Sequence, residues 1–369
     1  MSVAVLYRDE LKEYDFGSGH PFRGDRYASF IKLLRERLVP DDNYRILAAQ
    51  WATEDDLLKI CDEDYIHFSR EYYQAVHAGW ISYYENYSRY QSPDNKPIGT
   101  PGNLEEAARL IIGQAKMACD LIQSHQYKKV ISIGGGMHHA RQRFGEGFCI
   151  YNDVAFTAMY LIEKYQLERV MIVDTDAHAG NGTAAYINTN PKVLFVDVHQ
   201  DPRTIYPGSG FASDIGIGAG RGFTVNIPLP LHSGDASYLL AFDEIILPLA
   251  REFRPQIIIR NGGSDPHFND GLTDLGMTIS GFRRMGSKVK EITEICDEKE
   301  IDLIASGYNG NILPYAWLSL LSGIAGFPVI VEEPEQIPLQ FQQDLVLKET
   351  EKVLDEVKKF HQDYWKCLR

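Results

Sequence analysis

Short runs of Val, Ile, Met and Leu recur along the chain, and each stops abruptly at glycine, aspartate or histidine. Five of them, around Val130, Val170, Val193, Ile257 and Leu303, are largely apolar at successive positions, the last being interrupted by Asp302. Strands of that kind are covered on both faces, as in a parallel sheet. Between them lie stretches of helical length, including Asn103 to Gln123 and Val154 to Tyr165. The alternation predicts an α/β fold with three layers, helices lying on both faces of a central, mostly parallel sheet. Met1 to Tyr7, M-S-V-A-V-L-Y, reads as an edge or first strand, and the aromatic-rich stretch Tyr65 to Tyr90 as a buried helix pair against the sheet edge, or less simply as a partner surface. No repeat or linker interrupts the pattern, so residues 1–369 are expected to form one domain.

The chemistry gathers where the apolar runs end. Val170 to Thr183 reads V-M-I-V-D-T-D-A-H-A-G-N-G-T, with Asp174, Asp176 and His178 at alternate positions. Such spacing projects the three side chains to one side while the backbone stays extended. Two carboxylates and an imidazole suit a divalent first-row metal, zinc or ferrous iron. Alone, the segment also fits an Asp-rich turn capping the next helix. Lys128 to His139, K-K-V-I-S-I-G-G-G-M-H-H, delivers His138 and His139; Arg254 to Asp270, R-P-Q-I-I-I-R-N-G-G-S-D-P-H-F-N-D, delivers Asp265; Ile301 to Tyr308, I-D-L-I-A-S-G-Y, delivers Tyr308. Each is a strand followed by a loop of the kind that carries function in open α/β sheets.

Together these segments resemble the zinc-dependent histone deacetylase family of the arginase and deacetylase superfamily. Gly147-Phe148-Cys149-Ile150-Tyr151-Asn152-Asp153 and Ile205-Tyr206-Pro207-Gly208-Ser209-Gly210 fall in family order between them, and Phe16-Gly17-Ser18-Gly19-His20-Pro21 is similar to the entry segment of the acetoin-utilisation type from bacteria and archaea. The resemblance implies an arginase/deacetylase-like catalytic domain that removes an acetyl or other acyl group from an amine. It makes Asp176, His178 and Asp265 the ligands of Zn²⁺, with Fe²⁺ as the alternative, and leaves coordination open for water and substrate. His139 becomes general base and then acid, His138 its electrostatic partner, Asp174 the carboxylate behind His138, and Asn181 the partner of His139. Asn at 181 brings no charge, so His139 should be less basic than in members with Asp there. Tyr308 would donate to the developing oxyanion. Gly147, Phe148 and Tyr206 would wall the channel for the acyl-lysine stem, and Asp94, in the loop Gln91 to Asn103, would align the substrate. A monovalent cation, K⁺ or Na⁺, would take side chains from Asp174 and Asp197.

Some positions depart from the family pattern. Ala179 stands where a second histidine is usual, and Ala305-Ser306 replace glycines before the tyrosine. His267 and Asp270 lie close to Asp265; with three ligands already in place, His267 is expected to be a structural or rim residue. A two-metal ureohydrolase of the arginase kind needs a carboxylate two residues after the histidine, where this chain has Gly180. A silent acyl-lysine or polyamine binder would have no use for the histidine pair and the tyrosine.

Composition narrows the partners. A formal charge of −14 without a basic tract argues against nucleic acid as the main partner and is compatible with cationic substrates such as lysine-bearing tails or acylated polyamines; the resemblance implies an acylated lysine, polyamine or other small amine. The start lacks a signal peptide's charged and apolar regions and no run is long enough to span a membrane, so a cytoplasmic protein without membrane partners is expected. The five cysteines are expected to be reduced, Cys149 as a small buried side chain and Cys367 exposed. The acyl group and the oligomeric state are left open by these patterns.

Overall fold

The structure is a computed structural model; it describes residues 3–40, 42–80 and 86–369. Eight strands form one sheet: β1 (Val3–Leu6), β2 (Tyr44–Leu47), β3 (Lys129–Ile133), β4 (Val170–Asp174), β5 (Val193–Gln200), β6 (Thr224–Leu229), β7 (Ile257–Asn261) and β8 (Glu300–Ile304). They lie in the order β2-β1-β3-β8-β7-β4-β5-β6, and every neighbouring pair is parallel. Every residue of β3, β4, β5, β7 and β8 is buried, polar ones such as Arg260 and Asp302 included, as strands covered on both faces require. The helices Leu104–Gln123 and Asp153–Tyr165 pack together, and Asp25–Arg37, Ile279–Thr293 and Leu313–Ala325 form a second packed group, giving the three-layer α/β architecture. No helix among the described residues is long and apolar enough to cross a membrane.

The strand order positions the chemistry. Strands β3, β8, β7 and β4 are consecutive in the sheet although widely spaced in sequence. The histidine pair, Tyr308, Asp265 and the Asp176/His178 segment follow these four strands, so parallel pairing delivers all of them to one end of the sheet.

Three details differ from the sequence pattern. Strand β1 is the first strand of the chain but not an edge, because Tyr44–Leu47 pairs outside it; that strand is short and half-exposed, which hid it. Strand β6, T-V-N-I-P-L, was hidden by Asn226 and Pro228; as an edge strand it has no partner on its outer side for the missing donor. The aromatic stretch is not a helix pair on the sheet edge. It forms the helix Glu63–His77 and a single turn, Tyr87–Tyr90, and Ile81–Glu85 lie outside the described residues. The helix packs on Leu104–Gln123. Its Tyr65 hydroxyl donates to the Ile150 carbonyl at 2.7 Å, so the aromatics brace the loop that carries Phe148.

Candidate active site

Strand β4 ends at Asp174, and the chain then turns, so Asp176 and His178 stand on a loop rather than on an extended edge. Asp174 is not part of the cluster they form. Its Oδ2 accepts from Asn261 Nδ2 at 2.8 Å and lies 2.9 Å from His138 Nδ1, while Oδ1 accepts the Asp176 amide. The third arm of the cluster comes instead from the loop after β7. Side-chain donor atoms of Asp176, His178 and Asp265, all buried, lie within 4.8 Å of one another, and His178 Nδ1 is 3.1 Å from a carboxylate oxygen of each aspartate.

Two carboxylates at this spacing in a dry site need a cation between them. Against burial, Asp176 and Asp265 raise His178 to about 10, the mark of a site that calls for positive charge. Burial, followed by the charge of Asp176, raises Asp265 to about 8. Such a donor set, two oxygens and one nitrogen with excess negative charge, fits a divalent metal. Its supports are specific: Ser306 Oγ donates to Asp265 Oδ1 at 2.7 Å, and the Ala177 amide to Oδ2. Ser306, one of the departures from the family pattern, therefore has a task, and a glycine there would leave that oxygen without its hydroxyl partner.

The histidine pair lies over this cluster. Burial lowers the affinity of His138 for a proton, but Asp174 and Asp176 outweigh it and raise the ring to about 9. Burial and the charge of His138 push His139 well below its usual value. A charged ring thus lies beside a neutral one, with 3.1 Å between their Nε2 atoms. His139 Nδ1 lies 2.7 Å from Asn181 Oδ1. The loop beneath the pair is tied by Asp153, whose carboxylate accepts from Gly136 and Met137.

Aromatic walls rise from here. Tyr206 stands edge-on to His139 with 5.1 Å between ring centroids and is 40% exposed. Phe148 faces Tyr308 at 5.9 Å and is backed by Phe16, His20 and Phe22. Gly147 passes so close to His139 that a Cβ there would lie 2.2 Å from the ring, and its φ is +60°. The Gly147 amide donates to Asp94 Oδ2 at 2.8 Å, so the Asp94 carboxylate is at the rim and already engaged with the wall. Tyr308 stands 6.4 Å from the His178 ring, and its amide donates to Asp270 at 2.7 Å. Arg26, which the sequence did not single out, clamps the tyrosine loop by donating to the carbonyls of Ala305 and Gly307.

Other expected residues fall elsewhere. His267 is fully buried and bonds Glu333 at 2.9 Å, a structural contact. Asp197 pairs in register with Asp174, but its oxygens already bond His199 and the Gly180 amide. Ala179, with no imidazole, borders a cavity of about 430 Å³ also lined by Asn181, Asp197 and Arg221. The five cysteines are free, four of them buried and Cys367 exposed.

Residues 20–324 match the model of the histone deacetylase domain. The chain belongs to the histone deacetylase family. Among its relatives, a "probable deacetylase" of Archaeoglobus fulgidus is 32% identical over the full length of both chains. The acetoin utilization protein AcuC of Staphylococcus xylosus is 33% identical over 88% of this chain and 83% of its own. The crystal structure of the HDA15 HD domain superposes with a TM-score of 0.82 at 24% identity, covering 100% of this chain and 97% of that one, a likeness of fold. The histone deacetylase fold accounts for the strand order. The end of the sheet where β3, β8, β7 and β4 meet is the place to seek this family member's chemistry.

Proposed function

We propose that this family member is a metal-dependent deacetylase that hydrolyses the amide of an acylated amine, either acyl-lysine or an acylated polyamine or similar small amine. The observation that carries it is the convergence of Asp176, His178 and Asp265 with a neutral His139, a charged His138 and Tyr308. When bound by Asp176, His178 and Asp265, Zn²⁺ or Fe²⁺ supplies polarisation of the acyl carbonyl and acidification of a water. His139 takes a proton from the attacking water at Nε2 and returns it to the leaving amine. His138, held by Asp174, lends positive charge beside it. The Tyr308 hydroxyl donates to the carbonyl oxygen as that oxygen becomes negative. Phe148 and Tyr206 flank the stem, with Gly147 allowing the close passage and Asp94 at the rim aligning the rest of the substrate.

A two-metal ureohydrolase is disfavoured because Gly180 offers no carboxylate and its amide is spent on Asp197. A silent binder is disfavoured because a neutral imidazole with a partnered Nδ1 is arranged for proton transfer, which binding does not need. Turnover of acetyl-lysine peptides and acetylated polyamines by metal-depleted protein, before and after Zn²⁺ is restored, tests the proposal. Metal-dependent release of acetate is expected. Stoichiometric metal binding with no turnover on either class would reject it in favour of binding.

A further inference from the structure

Glu146 lies beside this machinery with no task assigned so far. It sits in the tight loop in which the Arg141 amide bonds Phe144 and the Cys149 amide bonds the Glu146 carbonyl, and its side chain is 14% exposed. Oε1 accepts from Arg141 Nε at 2.5 Å and from Asn181 Nδ2 at 3.2 Å, and Oε2 accepts from the Tyr206 hydroxyl at 3.0 Å. One carboxylate therefore touches both the partner of His139 and a wall of the channel.

The contact with Asn181 has a chemical consequence. An ionised carboxylate only accepts hydrogen bonds, so the NH₂ end of the Asn181 carboxamide must be the end that faces Glu146. The carbonyl oxygen is thereby turned toward His139 Nδ1, 2.7 Å away. An acceptor at Nδ1 keeps the ring proton there and leaves Nε2 with its lone pair, the form a base requires. An aspartate at 181 would have two equivalent oxygens and need no such selection. An asparagine can present either end, and something must choose.

We propose that Glu146 is a positioning residue: by orienting the Asn181 carboxamide it holds His139 in the tautomer with Nε2 free, and by the same carboxylate it fixes Tyr206. The catalytic consequence rests on the deacetylase function proposed above, but the tautomer does not. Histidine-labelled, zinc-loaded protein therefore gives the first test, through long-range ¹⁵N correlation spectra of His139. In the wild type the proton is expected on Nδ1. In Glu146→Ala it is expected no longer to reside on Nδ1 alone, and an unchanged pattern would overturn the proposal. In kinetics, Glu146→Ala should lower kcat roughly tenfold or more, up to the roughly 10²–10⁴-fold that a general base contributes, while the loss of the Tyr206 bond shows separately in KM. Glu146→Gln, whose oxygen can still accept from Arg141 and Asn181 while its NH₂ faces Tyr206, should retain most of kcat. The deciding comparison is the Asn181→Asp background, where Glu146→Ala should cost less than about twofold because the amide no longer needs orienting. An equal loss in both backgrounds would mean that Glu146 merely braces the loop. If no acyl substrate is turned over by the wild type, the proposed activity is wrong, and the ¹⁵N spectra still decide the role of Glu146.

Discussion

Replacing Tyr308 by Phe removes one oxygen from the site and little else. The ring keeps its packing on Phe148 at 5.9 Å and on His178 at 6.4 Å, and Arg26 stays 5.5 Å from its centroid. The backbone bond to Asp270 and the Arg26 clamp on the loop do not involve the hydroxyl. Burial, with Asp176 and Asp265 as the next causes, raises the Tyr308 phenol well above its usual value, so it is a proton-bearing donor throughout the working pH range. Loss of one preorganised donor to a developing oxyanion costs about 2.7–4 kcal/mol, a fall in kcat of roughly 10²–10³. Folding stability should change by less than about 1 kcal/mol, since the ring and its contacts remain. Steady-state hydrolysis of a fluorogenic acetyl-lysine peptide, beside urea unfolding of both proteins, measures the two quantities together. A loss in kcat under about fivefold with unaltered stability would refute the role given to the hydroxyl.

Further outcomes follow from other groups. Asp94→Asn should raise KM for a peptide substrate about tenfold, the worth of one bond to a charged group, and leave kcat nearly unchanged; kinetics unchanged from wild type on both peptide and small-molecule substrates would remove Asp94 from substrate alignment. Arg260 and Asp302 form a fully buried pair at 2.8 and 2.5 Å between β7 and β8. Arg260→Met should destabilise by about 3–5 kcal/mol, and Asp302→Leu added to it should recover most of that loss, as read by urea midpoints. His20 accepts the Phe22 amide at Nδ1 and lies 3.0 Å from the Asp94 carbonyl through Nε2, and burial lowers its pKa below 6.5. The unfolded chain then takes up this proton first as pH falls. The stability His20 contributes is therefore full above about pH 6.5 and is lost as pH drops from there toward the folded value. His20→Gln, which can make both bonds without titrating, should flatten the stability profile between pH 7 and 5; a slope identical to wild type would contradict this.

The sheet was legible because strands buried on both faces leave short, mostly apolar runs, and the chemistry was legible because those runs lead into loops bearing Gly, Asp and His. What the local pattern could not give was the assembly. Alternate spacing grouped Asp174 with Asp176 and His178, but β4 stops at Asp174, and the third arm of the cluster is Asp265, 87 residues beyond His178. Strand order, which brings β7 beside β4, makes that meeting; only the family resemblance anticipated it. The supporting residues were harder still. Arg26 acts on carbonyls 279 and 281 residues away, Ser306 acts through a hydrogen bond to Asp265, and Glu146 acts through hydrogen bonds to Asn181 and Tyr206. Such contacts leave no periodic trace in a sequence. Pro228 illustrates the opposite case, a local signal against a strand that an outer edge position satisfies.

The most direct test is to measure bound metal and acetyl-lysine hydrolysis together, by elemental analysis and steady-state turnover, in the wild type and in Asp265→Asn. One divalent ion per wild-type chain, with metal and turnover both lost in the variant, is the expected result. Turnover that survives removal of the metal, or two ions per chain, would contradict a one-metal centre built from Asp176, His178 and Asp265.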